Sequence, residues 1–207
     1  MRADPTSVVF PDVLRRRGSL NERMRSCPLS DLETFANVLS EQAGGVLRVT
    51  LNRTGALNAI DSVMAAQLRE IWVLAQQDPE VRTIVLAAAG VEAFCIGFDR
   101  ADPPLPVLGW VPITPKECGV AKRVIVTVNG IACRESFRFL RDADVVLAAP
   151  NASFFEPSAD WGPSCDDVPT MRNPLTASRA QQRGLVHDVV PLASLRSVSA
   201  RLAAPSS

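Results

Sequence analysis

The chain has 207 residues, 47% of them hydrophobic, with 22 Lys and Arg balancing 22 Asp and Glu. That length allows one large domain with appendages, and the apolar share supplies a real core. Zero formal charge gives no argument for a nucleic-acid partner. No apolar run of 18 residues spans a membrane, and the first ten residues lack a secretory pattern, so the expected location is cytoplasmic. Five cysteines with no CxxC spacing and a single histidine, His187, support neither a disulfide scaffold nor a metal site. His187 reads as a polar residue opening a late strand.

Residues 1–28 read as a loosely packed arm, interrupted by Arg15–Arg17, Gly18 and Pro28. Ser30 with Glu33 has capping-box spacing. It predicts a helix with Leu32, Phe35, Val38 and Leu39 on one face, ended by Gly44-Gly45. Residues 46–52 alternate as a strand. A helix starts near Asp61, with Met64, Leu68, Ile71, Trp72 and Ala75 as its apolar stripe, and Asp78-Pro79 closes it. Residues 83–88, 124–128 and 144–149 are nearly continuous apolar strands, and 187–191 adds a short fifth. Helix-length segments between them imply a largely parallel, doubly covered sheet. Sites in such sheets lie beyond the carboxyl ends of strands, here after Ala88 and Val128. Residues 101–120 carry five prolines and read as an irregular loop. Residues 156–176 fit no regular element. The tail forms a short helix through Leu195, Val198 and Leu202. No GxGxxG segment is present, which disfavours a nicotinamide fold.

Three segments in order resemble the enoyl-CoA hydratase/isomerase family, the crotonase superfamily. LNRTGALNAIDSVMAAQL (Leu51–Leu68) is similar to the family's LNRP-x-x-x-NA segment. DPEVRTIVLAAAGVEAFCIGFD (Asp78–Asp99) resembles its DPxVR…AFCAGxD signature. KRVIVTVNGIACRESFRFLRDADVVLAAPNASFFEP (Lys122–Pro157) resembles KPVIAAVNGxAxGGG…CD…AxFxxPE. Ala177–Pro191 is a weaker fourth match. The resemblance implies an α/β crotonase-like (ClpP/crotonase) fold, a spiral of β-β-α units with a reduced C-terminal helical region. The expected organisation is an arm and helix over 1–43, a core over 44–191 and a short tail over 192–207.

The same resemblance implies a site. Backbone at Gly55, Ala56 and Leu57 would hold coenzyme A, or the phosphopantetheine arm of an acyl-carrier protein, as part of an acyl-thioester substrate. No permanent cofactor is implied. The family's oxyanion hole uses two N–H groups aimed at the thioester oxygen, where charge grows in reaction. The first maps to Phe98 after Gly97 and the second to Glu135. The family's triple glycine is Arg134-Glu135-Ser136 here, so a side chain and a negative charge enter a site meant for an anion. The two hydratase glutamates map to Arg138 and Ser158. Neither residue type can act as the carboxylate base. Standard hydration is therefore not expected.

Asp166, twelve residues after Phe154, is the first replacement acid or nucleophile, with Asp167 beside it to raise its pKa. Glu135 and Glu156 are the next candidates. Cys95 and Cys133 read as packing residues. Two function classes stay open: a divergent acyl-thioester lyase, isomerase, decarboxylase or hydrolase, and a non-catalytic binding or scaffold subunit. Asp166 aimed into the thioester pocket would favour the first, and a side chain filling that pocket the second. The short stretch between Pro157 and Gly184, with 16 residues after Pro191, weakens the acyl pocket and usual subunit contacts. Self-association is expected, a trimer ahead of a dimer, or a larger partner subunit.

Overall fold

A computed structural model describes residues 36–102, 111–155 and 174–204. Two sheets carry the chain. The first opens with β1 (Val38–Ala43) and β2 (Val46–Leu51), an antiparallel hairpin in register Val38 to Leu51. Gly44 and Gly45, at φ +58° and +83°, form its two-residue turn. Positive φ at both central residues matches the right-handed twist of the strands, and glycine reaches it without strain. The helix expected over Val38 and Leu39 is therefore corrected to a strand. Two alternating runs flanking Gly-Gly are a hairpin signal. That expectation gave Gly-Gly the weaker role of helix terminator. Its first half, Ser30 to Phe35, lies outside the described residues.

α1 (Ser62–Gln77) follows a 3-10 turn at Thr54–Ala56. The Asp61 side chain accepts from the Met64 N–H at 2.6 Å, capping the helix at its expected start. Met64, Leu68, Ile71, Trp72 and Ala75 are all buried, so the expected stripe faces the core. Trp72 satisfies its indole N–H on the Ile113 carbonyl at 2.8 Å.

From there the chain alternates between sheets. β3 (Thr83–Ala88), β5 (Arg123–Val128), β7 (Val145–Ala148) and, late in the chain, β10 (Asp188–Val189) join the first sheet in parallel, giving the order β1-β2-β3-β5-β7-β10. β3, β5 and β7 are each followed within a few residues by a three-residue strand of the second sheet: β4 (Ala93–Cys95), β6 (Ile131–Cys133) and β8 (Ser153–Phe155). β9 (Leu175–Thr176) completes that sheet, in the order β4-β6-β8-β9. α2 (Phe137–Asp142) and α3 (Ala177–Gln182) follow β6 and β9. β10 (Asp188–Val189) and α4 (Leu195–Ala203) end the described chain. This strand-to-strand turning is the crotonase-like spiral expected above.

The corners between sheets are linked by asparagine amides. Asn58 donates to the carbonyls of Ala89 (3.1 Å) and Ala93 (2.9 Å). Asn129 donates to Gly90 at 2.8 Å, and Asn151 to Asn129 at 3.0 Å. At Gly130 the chain passes so close to the β3–β4 corner that an added Cβ would lie 2.3 Å from the Glu92 carbonyl oxygen. Edge-on ring pairs, Phe137 with Phe154 and Phe139 with Phe94, seat α2 on the second sheet.

Asp144 ties the start of β5 to the end of α2. Its carboxylate accepts from the Val124 N–H at 2.7 Å and pairs with Lys116 at 3.1 Å. Partial burial pushes its pKa up, but the Val124 N–H and Lys116 outweigh that and hold it below the usual carboxylate value. A depressed carboxylate stabilises the fold above its unfolded pKa of about 4, and the contribution is lost as pH falls through the lower folded value. Asp144→Asn is expected to be less stable than the native chain near neutrality, with the gap closing below about pH 4. Melting temperatures measured across pH check this. A gap that stays constant would remove the carboxylate from the balance.

Candidate functional site

The site is assembled where three corners of the chain meet. The first is the turn from Arg53 to Asn58. Arg53 fixes it by bonding the Ala59 carbonyl at 2.6 Å and pairing with Asp61 at 3.1 Å and Asp99 at 3.0 Å. Leu57 and Asn58 sit at φ +51° and +56°. These left-handed conformations are held because buried Asn58 accepts from the Arg53 N–H at 2.9 Å and donates into the β3–β4 corner. Gly55 is exposed with open space where a Cβ would stand, and Ala56 and Leu57 are half-buried beside it. The three expected coenzyme-binding positions thus form one accessible turn.

The second corner, Ile96 to Asp99, is bolted to the first. Ile60 and Phe98 form an isolated parallel bridge, with Ile60 N–H donating to Gly97 (2.8 Å) and Asp99 N–H to Ile60 (2.9 Å). Asp99 is held below the ordinary carboxylate range by the Ala101 N–H first and by Arg53 second. Gly97 has φ +94°, and the bridge to Ile60 uses the Gly97 carbonyl and the Asp99 N–H rather than the Phe98 N–H.

The third corner is the replaced glycine segment. Arg134 has φ +57°, so an arginine follows the path a glycine would take. Such a conformation costs a side-chain-bearing residue about 1–3 kcal/mol. The surrounding strands hold it nonetheless. Glu135 then turns its side chain toward the second corner. Its Oε2 accepts from the Phe98 N–H at 3.1 Å. Its second neighbour, the Arg134 guanidinium, is 3.9 Å away. A Cβ on Gly97 would stand 2.3 Å from the same oxygen. The structure therefore brings two expected site residues, Phe98 and Glu135, together, with a carboxylate rather than an open space at the Phe98 donor.

Arg138, the second residue of α2, is not available to solvent chemistry. It makes a two-point pair with Glu117, Nε to Oε1 at 2.7 Å and Nη2 to Oε2 at 2.5 Å, and donates to the Val111 carbonyl at 2.7 Å. Both side chains are only 13% exposed. Glu117 also accepts from the N–H groups of Ile113 (2.9 Å) and Thr114 (3.2 Å). Sequence reasoning missed Glu117 because it sits in a proline-rich stretch without periodicity. A signal existed: an arginine flanked by Phe137, Phe139 and Leu140 demands a buried anion.

Burial raises the Cys95 thiol to about 12 and also raises that of Cys133. Both agree with packing roles. Asp166, Asp167, Glu156 and Ser158 lie outside the described residues, and so does the question of where Asp166 points. Among the described residues no three His, Cys, Asp or Glu side chains gather as a metal would require, and no helix is long and apolar enough to cross a membrane.

Comparison with known proteins bears on the same corners. A family model described as enoyl-CoA hydratase/isomerase matches residues 46–102, which contain the first two. The chain is 34% identical to (E)-benzylidenesuccinyl-CoA hydratase of Thauera aromatica over 56% of its length and 48% of that protein's. It is 33% identical to 1,2-epoxyphenylacetyl-CoA isomerase of Escherichia coli over 72% of its length and 61% of that protein's. It thus spans about half to three fifths of these curated relatives. Among solved structures, an enoyl-CoA hydratase/isomerase from Mycobacterium paratuberculosis superimposes with a TM-score of 0.69 at 28% identity. That match covers 82% of this chain and 75% of the other.

Proposed function

Because the chain belongs to the enoyl-CoA hydratase/isomerase (crotonase) superfamily, we propose that it binds an acyl thioester, acyl-CoA or acyl-phosphopantetheine, without carrying out the standard hydration of an enoyl-CoA. The Arg138–Glu117 pair carries this reading. Hydration needs a carboxylate at the first acid position to take a proton from water. The residue there is a permanently protonated guanidinium, and its anionic partner has its oxygens committed to Arg138 and two backbone N–H groups. The accessible Gly55–Leu57 turn, braced by Arg53, supports retention of the ligand.

Where chemistry follows binding, Asp166 is the acid or nucleophile assigned to it. A second reading, a non-catalytic binding subunit, draws on the Glu135 carboxylate at the Phe98 N–H. Calorimetric titration with CoA and butyryl-CoA is expected to give heat. Mass spectrometry after incubation with crotonyl-CoA is expected to show no added water. Silence at millimolar ligand would sink the binding claim, and rapid hydration would sink the claim about the acids. In an acyl-CoA panel with a turnover product, Asp166→Asn is expected to lower turnover about 100-fold and leave affinity nearly intact. Unchanged turnover would take Asp166 out of the mechanism.

A further inference from the structure

We infer that Glu135 is an internal occupant of the thioester-oxygen position. The site is closed by the chain's own carboxylate until a ligand displaces it, and Glu135 thereby sets how tightly a thioester carbonyl is held. This rests on the acyl-thioester reading above and adds what that reading leaves open, namely the state of the site before ligand arrives.

Three observations converge. The Phe98 N–H donates to Glu135 Oε2 at 3.1 Å, so the donor that would polarise a thioester oxygen is already bonded to an oxygen. The carboxylate lies against the face of Gly97, where a Cβ would meet Oε2 at 2.3 Å and the Arg134 Cβ at 2.9 Å. Finally, the Glu135 side chain is 31% exposed, and among the described residues its ion-pair partner, Arg134, is 3.9 Å distant. The carboxylate can swing toward solvent without unpacking α2, whose Phe137 and Phe139 seat it independently.

Charge sharpens the competition. A carbonyl oxygen gaining negative charge would sit beside an anion, so Glu135 must leave before any charge can develop there. The bond to be broken is a hydrogen bond to a charged acceptor. Releasing one corresponds to about tenfold to a hundredfold in affinity. A ligand can thus dock its coenzyme portion on the Gly55–Leu57 turn while its carbonyl is turned away.

The test compares the native chain, Glu135→Ala and Glu135→Gln with three probes: CoA, butyryl-CoA, and S-butyl-CoA, a thioether that lacks the carbonyl. Native protein is expected to bind butyryl-CoA and S-butyl-CoA about equally. Glu135→Ala is expected to bind butyryl-CoA about tenfold to a hundredfold tighter, with S-butyl-CoA and CoA unchanged. Glu135→Gln, which keeps an acceptor of the same reach, is expected to fall between. Binding by all three proteins with no carbonyl-specific gain in the Ala variant would overturn the internal occupant and leave acyl-thioester binding standing. Absence of binding to every probe in every protein would overturn both. A ligand-free readout stands beside these. Hydrogen exchange of the Phe98 amide is expected to be slow in the native chain and at least tenfold faster in Glu135→Ala. Equal rates would overturn the contact itself.

Discussion

Gly130→Ala is expected to be the most damaging single-methyl change in the described chain. The new Cβ would lie 2.3 Å from the Glu92 carbonyl oxygen, 2.5 Å from its carbon and 2.8 Å from the Ala93 nitrogen. All three are backbone atoms, so no side chain can rotate away. The corner itself would have to open. Opening it strains the Ile131 N–H bond to Glu92 at 2.9 Å and the Asn129 bond to Gly90. A loss of about 4 kcal/mol or more follows, in the range reserved for named structural failures. For a chain of this size that corresponds to a melting temperature lower by about 10 °C or more. Gly55→Ala is the control, because nothing lies within 4 Å of its added Cβ. Urea denaturation of both variants checks the contrast. A Gly130→Ala midpoint within error of the native value would mean that the corner opens at little cost.

Arg138→Glu is expected to have the second largest effect. The substitution installs the residue type a hydratase uses at this position. It also faces the new carboxylate with Glu117, whose oxygens are 2.5 to 2.7 Å from the present guanidinium. Removing one partner of a buried pair costs about 3–5 kcal/mol, and a like charge adds to it. Glu117 is held in place by its two backbone N–H donors, so it cannot turn away from the new carboxylate. The variant should therefore be destabilised and should still not hydrate crotonyl-CoA, even when combined with Ser158→Glu. Glu117→Gln in the same chain is expected to recover part of the stability, since it removes the repulsion and preserves the shape. Denaturation midpoints of the single and double variants measure the coupling. Independent, additive effects would show that the pair does not hold α2.

The long elements were readable because their signals are long. α1 shows a continuous apolar stripe and an Asp61 cap, β2 alternates over six residues, and β3, β5 and β7 are mostly apolar runs of four to six residues. The second sheet was not readable, because β4, β6 and β8 each have three residues, too few for any period to register. At the site, Phe98 after Gly97 was expected by resemblance to a known pattern, and the structure places it against Glu135. The direction of the Glu135 side chain was not legible. It depends on Arg134 holding φ +57°, a left-handed conformation that no propensity assigns to arginine. The Arg138–Glu117 contact joins residues 21 apart in sequence, and the apolar neighbours of Arg138 ask for an anion without saying which one.

The asparagine amides at the corners give the spiral a different kind of unity from its sheets. Asn58 reaches the β3–β4 corner, Asn129 reaches it from the β5–β6 corner, and Asn151 reaches back from the β7–β8 corner. In a linear array each repeat touches only its neighbour through similar faces, and damage stays near where it occurs. Here each corner borrows a hydrogen-bonding group from the next, and the Phe98 loop hangs from the first of them. Asn151, late in the chain, is thereby connected in three steps to the Arg53–Asn58 turn. The mechanical integrity of the Arg53–Asn58 turn is a property of the whole staircase rather than of its own residues alone.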